Sequence, residues 1–263
     1  MRNIELPENL DWQMWVERWD KMQQRYLVSR AERFEVIIRL IRNTQNSVAQ
    51  IIDLGCGTGS LMLEILRAFP KAKLIGIDFD PTLLPLARQR LAKFSSRIKL
   101  ILADLRQKSW LEHLEKPTDA VISATALHWL RQKELVGLYG DIARILRPGG
   151  IFLNADHAGS GNDWIQQAWE KHRDKMLSSQ RDAAGEDGAS FWKAYMKALG
   201  LKTPEIRQRV LGGWKGGVEK GMPLTWHFDK LKATGFTCID CFWRCDCDAI
   251  YGGIRNKQDF RQK

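Results

Sequence analysis

The stretch AQIIDLGCGTGS, residues 49–60, decides the fold. A short apolar run ends in three glycines at alternate positions, Gly55, Gly57 and Gly59, and the residues after them have the apolar spacing of an amphipathic helix. Glycine adopts the backbone angles that a tight turn needs, and it lets a ligand approach the main chain closely. Strand, glycine turn and helix together predict the opening of a nucleotide-binding βαβ unit.

The residues around this turn indicate which nucleotide it binds. A phosphate-binding P-loop has Lys and then Ser or Thr after its last glycine, whereas Ser60 directly follows Gly59 and no Lys is present. A dinucleotide fingerprint would need a glycine at Ser60. Asp53 ends the strand, and a carboxylate there suits the ammonium group of an amino-acid moiety better than a pyrophosphate.

The pattern Asp53-x-Gly55-x-Gly57-x-Gly59 resembles the first motif of the class I S-adenosylmethionine-dependent methyltransferases. The resemblance implies that S-adenosyl-L-methionine is the cofactor and S-adenosyl-L-homocysteine the product. It also implies cofactor contacts from Asp53, Gly55, Cys56 and Gly57. A glycine turn of some other α/β protein is the alternative interpretation.

A second acid, Asp78, ends the buried-strand pattern of residues 73–78 and lies 25 positions beyond Asp53. This spacing predicts that it stands at the tip of the neighbouring parallel strand, where its two oxygens can accept both ribose hydroxyls. Phe79 follows and is expected to pack on the adenine face. Helix capping by Asp78 is the competing interpretation, but Asp80 and Pro81 already supply a cap and a first-turn proline.

Two further strands extend the resemblance. Asp104 and Leu105 follow the strand of residues 98–103, and the family likeness implies that Asp104 accepts from the adenine amine, with helix capping as the alternative. Ser123 and Ala124 end the fourth strand and are expected at the cofactor. The sequence LRPGG, residues 146–150, is a second hallmark of the family, and its residues 147–150 are expected to form a turn into a fifth strand at residues 151–155. The motifs thus occur in the family's order over residues 51–155.

The chain pattern predicts an α/β fold: a Rossmann-like, doubly wound, seven-stranded sheet with an antiparallel last strand, N-terminal helices and a helical lid insertion. We expect an N-terminal helical segment at residues 1–47 and a cofactor-binding core at residues 48–157. A helical insertion that covers the acceptor site is expected at residues 158–222, and a final helix with a β-hairpin at residues 223–263.

The N-terminal segment carries a stripe of tryptophans at helical spacing, which is typical of a core-facing helix. In methyltransferases of this kind such a segment commonly folds over the cofactor. The resemblance therefore implies that Tyr26 and Arg30 meet the cofactor's carboxylate, with a purely structural role as an equal alternative.

Candidate titratable groups for the acceptor lie at the ligand-binding edge of the sheet, after the fourth and fifth strands and on the final helix: His128, Asp156, His157 and His227. His128 and His157 are the predicted catalytic residues, because a hydroxyl or amine acceptor needs a general base with a pKa near neutrality. Helix capping is the alternative for His128, and a structural role is favoured for His227. Four tryptophans are predicted to line the acceptor pocket, although helical tryptophans more often belong to the core: Trp129, Trp164, Trp192 and Trp226.

The predicted reaction is transfer of the sulfonium methyl group to an oxygen or nitrogen, possibly of a carboxylate, on a small metabolite by in-line displacement. Residues 123–129 resemble the loop of the trans-aconitate and malonyl-carrier-protein methyltransferases. The Asn-Pro-Pro-Tyr/Phe motif of amino-group nucleic-acid methyltransferases and the Pro-Cys of cytosine C5 enzymes are both absent. An RNA methyltransferase, or a cofactor-binding protein without catalysis, remains the alternative.

Composition also indicates which class of protein this chain belongs to and which partners it has. The chain has 263 residues, a net charge of +10 and 44% hydrophobic residues, without an apolar run of membrane-spanning length or a signal-peptide pattern at its start. The basic residues are interleaved with acids, so a solvated surface is favoured over a nucleic-acid face. Four of the five cysteines crowd into residues 238–247, where strand geometry separates them and predicts free thiols rather than a metal site. We therefore expect a cytoplasmic protein with no metal and no membrane partner, and the sequence does not predict its oligomeric state.

Overall fold

A computed structural model of the protein describes residues 7–114, 117–201 and 221–256. Its helices and strands follow one another along the chain as α1 (Trp12–Gln24), α2 (Arg30–Thr44), β1 (Gln50–Leu54), α3 (Ser60–Ala68), β2 (Lys73–Asp78), α4 (Leu84–Arg90), β3 (Ile98–Leu102), β4 (Thr118–Ala124), α5 (Gln132–Ile145), β5 (Leu146–His157), α6 (Asp163–Ala184), α7 (Gly188–Ala198), α8 (Leu224–Ala233), β6 (Phe236–Cys245) and β7 (Asp248–Arg255). Short 3-10 turns at Ala92–Arg97, Lys108–His113 and Leu127–Trp129 connect some of them.

The seven strands form one sheet in the order β3-β2-β1-β4-β5-β7-β6. The first five strands are parallel, and β7 is antiparallel to both of its neighbours, β5 and β6. The chain order reverses at β1, so that β1 and β4 adjoin at the point where open α/β sheets bind ligands. The predicted Rossmann-like sheet with an antiparallel last strand is confirmed.

Apolar side chains alternate between the two faces of this sheet and build a core on each. One core packs α5 and α8 against residues such as Ile52, Ile77 and Val121, and the other packs α2 and α3 against residues such as Ile51 and Ile122. Each of these side chains is almost fully buried, which stabilises the fold by roughly 1.5–3 kcal/mol per residue relative to exposure.

A third core joins the N-terminal helix to the insertion. Trp15 on α1 meets Phe191 and Tyr195 on α7 at ring-centroid distances of 5.8 and 5.0 Å. The Tyr195 hydroxyl donates to the carbonyl of Thr82, in the short segment between β2 and α4. The predicted core role of the tryptophan stripe agrees with these contacts, and α1 and α7 form one packed layer near the carboxyl end of β2.

The family hallmark at residues 146–150 differs from its predicted geometry. We expected a turn before the fifth strand, whereas β5 already begins at Leu146 and pairs with Thr118. The register then jumps to the pair Ala120–Ile151, so the intervening residues form a bulge. Arg147 in this bulge donates to Asp119 at 2.6 Å and thereby ties β5 to β4 at the sheet edge opposite the ligand site.

The predicted division into four segments stays a prediction. The helices α6 and α7 lie where the insertion was expected, and residues 202–220 of that insertion lie outside the described residues. Among the described helices, none combines the length and apolar character that crossing a bilayer requires.

Candidate active site

The glycine turn after β1 is closed by main-chain hydrogen bonds. The N–H groups of Gly55 and Cys56 both donate to the carbonyl of Ile77 on β2, at 2.8 and 3.1 Å. All three glycines have positive φ, between 54° and 77°. A Cβ atom at Gly55 would overlap the side chain of Ala126 in the loop after β4, so glycine is required here for a close approach as well as for the turn.

Asp78 stands at the tip of β2, as the spacing predicted, and its carboxylate faces the glycine turn. Its oxygens accept from the N–H groups of Gly57 at 2.7 Å and Asp80 at 2.9 Å. Burial of the carboxylate raises its pKa to about 6, although these hydrogen bonds favour the charged form. The main chain therefore uses part of the acceptor capacity of Asp78, and the rest is available for hydroxyl donors.

Asp53 is also buried, at the end of β1. Burial and the nearby charge of Asp78 raise the pKa of Asp53 to about 8. No Lys or Arg within the described ranges forms an ion pair with either carboxyl group. Because two buried carboxyl groups without a cation are costly, the turn favours a positively charged ligand.

Other predicted cofactor residues lie at the same edge of the sheet, where their side chains are hydrogen-bonded or buried. Arg106 holds the Asp104 carboxylate through three side-chain contacts of 2.7 to 3.0 Å, which outweigh burial and lower its pKa. The Ser123 hydroxyl donates to the carbonyl of Leu54 at 2.7 Å and thus joins β4 to β1. Cys56 is buried with its pKa raised well above the usual value, so its thiol is neutral.

The structure gives the positions of three further residues that were predicted to contact the cofactor. Phe79 follows Asp78 directly and is partly buried, and Leu105 packs against the core beneath α5. Ala124, at the end of β4, packs partly against the core beneath α2 and α3. Their cofactor contacts stay predictions.

Tyr26 and Arg30 occupy different surroundings. The Tyr26 hydroxyl accepts from the N–H of Gly188 at 2.9 Å and so ties the N-terminal segment to α7. Arg30 lies 3.4 Å from Asp20, whose carboxylate also accepts from the hydroxyl of Ser60 at the start of α3. The Asp20 side chain therefore links Arg30 to the helix start after the glycine turn, whereas Tyr26 contacts the helical insertion.

His128 is positioned by Asp156. The ring Nδ1 of His128 lies 2.7 Å from Oδ1 of Asp156, and the His128 main-chain N–H donates to Oδ2 at 2.9 Å. Burial by itself would lower the pKa of His128, but the Asp156 carboxylate outweighs it and the net shift is upward. Burial would raise the pKa of Asp156, and the histidine and hydrogen bonds reverse that shift, so Asp156 stays ionised. A histidine held at Nδ1 by a buried carboxylate presents Nε2 as a base.

His157 forms a second pair of the same kind. It is the cross-strand partner of Asp248 in the β5–β7 ladder, and its Nδ1 lies 2.8 Å from Oδ1 of Asp248. The two imidazole rings, of His128 and His157, lie 4.8 Å apart between centroids. Arg33 on α2 lies 3.8 Å from Asp248 and donates to the carbonyl of Ala155 at 2.5 Å.

Sequence reasoning considered Asp156 as a titratable group but gave it no role, and it missed Asp248. His128 and Asp156 are 28 residues apart, and His157 and Asp248 are 91 residues apart. No sequence pattern joins residues at those distances, because the register of β5 against β7 determines the second pair.

The four predicted acceptor-site tryptophans are spread over four elements. The Trp129 ring lies 5.1 Å from that of His128, and 46% of its surface is exposed. Trp164 is 77% exposed at the start of α6, and Trp226 on α8 adjoins His227. Trp192 packs on Trp19 within the α1–α7 core. Trp129 thus lies beside the predicted base, and Trp192 lies in a packing layer.

His227 belongs to a buried polar network, in line with the structural role that was favoured for it. Its Nδ1 lies 2.8 Å from the hydroxyl of Tyr139, and Tyr251 bridges it to Asn154. Burial lowers the pKa of His227 to about 4, so this histidine is neutral at physiological pH.

Comparison with known proteins adds family information for the cofactor half. The family model described as a methyltransferase domain matches residues 51–150. Trans-aconitate 2-methyltransferase of Azoarcus sp. (strain BH72) is 31% identical over 134 residues, which cover 51% of this chain and 48% of that protein. Malonyl-[acyl-carrier protein] O-methyltransferase of Priestia megaterium is 27% identical over 129 residues, 48% of this chain and 43% of that protein. The chain spans about half the length of the curated relatives it matches.

Solved structures agree in fold. An O-methyltransferase family protein from Burkholderia thailandensis aligns with a TM-score of 0.55 at 14% identity, covering 95% of this chain and 71% of that one. Human N-acetylserotonin methyltransferase, in complex with its cofactor, aligns with a TM-score of 0.50 at 16% identity, covering 95% and 60%. At these identities the likeness supports the arrangement of strands and helices.

Proposed function

We propose that this protein, whose residues 51–150 match the family model of a methyltransferase domain, is a class I S-adenosylmethionine-dependent methyltransferase that methylates an oxygen or nitrogen of a small metabolite. The loop after β4 carries the proposal. Ala126 packs against Gly55 of the cofactor turn, and His128 with its Asp156 partner lies two residues further on. The proposed base and the glycine turn that would hold the methyl donor thus lie on neighbouring loops.

The turn supplies groups suited to each part of the cofactor. Asp53 offers a carboxylate for the ammonium group, and the free acceptor positions of Asp78 suit the vicinal ribose hydroxyls. Asp104 would accept from the adenine amine if Arg106, which now holds it, keeps only part of the carboxylate. The bound cofactor supplies an electrophilic methyl group on a sulfonium, which is a good leaving group.

The chain's own contribution to the reaction is positioning and proton removal. His128 Nε2 accepts the proton of an acceptor hydroxyl or amine, and Asp156 stabilises the resulting imidazolium. In-line displacement requires the acceptor atom, the methyl carbon and the sulfur to be aligned, so most of the rate gain comes from orientation. Exposed Trp129 beside His128 offers an aromatic face to the acceptor.

Several observations favour a small acceptor over RNA. The curated relatives named above act, by their names, on trans-aconitate and on a malonyl group of a carrier protein. The Asn-Pro-Pro-Tyr/Phe motif of amino-group nucleic-acid methyltransferases is absent from the loop after β4. The five unpaired cysteines fit the reducing cytoplasm, where we place this activity.

Product detection tests the proposal. The protein is incubated with S-adenosylmethionine labelled in the methyl group, and either a metabolite extract or total RNA. We expect label in the small-molecule fraction, lost in the His128→Ala variant while calorimetry still detects S-adenosylhomocysteine binding. Label in RNA alone would replace the proposal with the RNA alternative, and cofactor binding without label in either fraction would support a protein without catalysis.

A further inference from the structure

The site holds two histidine–carboxylate pairs, and the proposed function uses only one of them. Nδ1 of His128 lies 2.7 Å from Asp156, and Nδ1 of His157 lies 2.8 Å from Asp248. A neutral histidine that donates its Nδ1 hydrogen to a carboxylate keeps a lone pair on Nε2. Among the described residues, no other side chain or main-chain group hydrogen-bonds to either ring. The ring of His157 therefore offers a second hydrogen-bond acceptor that proton removal at His128 does not use.

The two rings lie close enough together to contact one small molecule. Their centroids are 4.8 Å apart, and their planes are inclined at 53°. The side chains of His128 and His157 are 10% and 15% exposed, whereas the carboxylates that hold them are buried. An acceptor with a single polar group would leave one of the two rings without a hydrogen bond, and an unsatisfied polar group in a closed site costs binding free energy.

The charges behind the two rings differ. Asp156 forms no ion pair with Lys or Arg within the described ranges, so its charge is available to stabilise an imidazolium at His128. Asp248 has the buried guanidinium of Arg33 3.8 Å away, which offsets part of its charge. A second imidazolium beside the first would add repulsion between like charges. These charges favour proton uptake at His128 and a hydrogen bond without proton uptake at His157.

We propose that His157 is a specificity-determining residue, which accepts a hydrogen bond from a second hydroxyl group of the acceptor, next to the hydroxyl that is methylated. The acceptor is then a compound with two neighbouring hydroxyl groups, on an aromatic ring or on an aliphatic one. Oxygens on adjacent carbons lie closer together than the two ring centres, so each O–H group can point to its own histidine. Asp248 is a positioning residue, because its carboxylate orients the ring of His157.

The two hydroxyl groups have different fates. At the methylated position the O–H bond breaks as its proton passes to Nε2 of His128. The oxygen forms the new bond to the methyl carbon, and the carbon–sulfur bond breaks with its electron pair on sulfur. The second O–H bond stays intact and donates to His157, so the product is a monomethyl ether. The transfer step rests on the proposed function, whereas the binding of two hydroxyl groups does not require it.

Binding of simple probes to the purified protein tests the role of His157 without turnover. The aromatic pair is 1,2-dihydroxybenzene and phenol, and the aliphatic pair is cis-1,2-cyclohexanediol and cyclohexanol. Calorimetry is carried out with and without S-adenosylhomocysteine. We expect the diol of at least one pair to bind about three- to tenfold more tightly than its one-hydroxyl partner, the usual contribution of one hydrogen bond. The pair that shows this advantage identifies the acceptor as aromatic or aliphatic.

Variants assign the advantage to the second histidine. His157→Ala should remove it, and Asp248→Asn should reduce it, because the ring loses its orientation. The matched control is His172→Ala, since His172 is an exposed histidine paired with Asp246 and should keep the advantage. Equal affinity for diol and one-hydroxyl compound in both pairs overturns the inference. So does the absence of saturable binding by either diol, or a diol advantage that His157→Ala retains.

A second test uses natural acceptors and needs no variant. Immobilised phenylboronate retains molecules with two neighbouring hydroxyl groups, so a metabolite extract is divided on it before incubation with the protein and methyl-labelled S-adenosylmethionine. We expect the label in compounds of the retained fraction. Label confined to the unretained fraction overturns the inference and leaves the proposed function intact. Absence of label from both fractions speaks against the proposed function, and the probe-binding test then decides the role of His157 by itself.

Discussion

Replacement of Asp53 by Asn should change how the stability of the ligand-free protein depends on pH. The pKa of Asp53 in the folded chain is about 8, because the carboxyl group is buried beside Asp78. In the unfolded chain an aspartate titrates near 4. Between these values the native state keeps a proton that the unfolded chain has lost, so this group reduces stability as the pH rises, and the loss is complete above about 8.

The size of the effect follows from one proton. Each pH unit in this window removes about 1.4 kcal/mol from the free energy of unfolding. From pH 6 to pH 7.5 the wild type should therefore lose about 2 kcal/mol more than Asp53→Asn. Other titrating groups, including His128, are common to both proteins and largely cancel in the difference.

Urea unfolding at a series of pH values measures this difference directly, and Asp163→Asn, at an exposed carboxyl group of α6, is the control. Titration with S-adenosylhomocysteine measures binding of the ligand. Its ammonium group should drive proton release from the wild type near pH 7. The Asp53→Asn variant should bind it at least about tenfold more weakly, because one charge-assisted contact is lost. Parallel stability curves for Asp53→Asn and wild type would show that Asp53 is not desolvated at the turn, and the reasoning would fail.

Three further predictions test the candidate site and the packing around it. Asp156→Asn should move the acidic limb of the kcat/KM profile to lower pH, because the carboxylate is what raises the pKa of His128; an unmoved limb would mean that His128 is not the base. Gly55→Ala should destabilise the protein by at least about 2 kcal/mol, because Gly55 has a left-handed backbone angle and an added Cβ would overlap Ala126. Gly57→Ala has open space around its Cβ position, so it should lose only the contribution of the backbone angle. Equal midpoints of urea unfolding for the two variants would contradict this prediction. Trp192→Ala should lower stability by about 2–3 kcal/mol through lost packing in the α1–α7 core and leave the KM for the acceptor unchanged; a raised KM at constant stability would return Trp192 to the acceptor pocket.

The cofactor half was predictable because its signals are local. Asp53 lies two residues from Gly55, and Asp78 ends a strand that the hydrophobic pattern identifies. Parallel strands with short connections then leave few possible topologies, and adjacent strand ends must lie on one edge of the sheet. The seven-stranded Rossmann-like sheet with an antiparallel last strand followed from the family likeness and is confirmed.

The acceptor side was predictable only in part. His128 was identified as a loop residue at the correct edge, but the features that define its chemistry come from Asp156 on another strand. For Tyr26 the sequence left a cofactor contact and a structural role as equal alternatives, and it could not predict the bond to Gly188, which depends on the packing of α1 against α7. Contacts across 28, 91 or 162 residues depend on tertiary packing, which a single sequence does not display.

The hairpin that completes the sheet has a consequence for association between chains. Strand β6 forms one edge of the sheet, and its pairing with β7 shifts register twice, between Thr237 and Asp240 and between Cys241 and Trp243. Irregularities of this kind twist an edge strand and break the even row of N–H and C=O groups that a foreign strand would need for pairing. The two irregularities in β6 therefore make this edge of the sheet a poor partner for a foreign strand and oppose strand-to-strand aggregation.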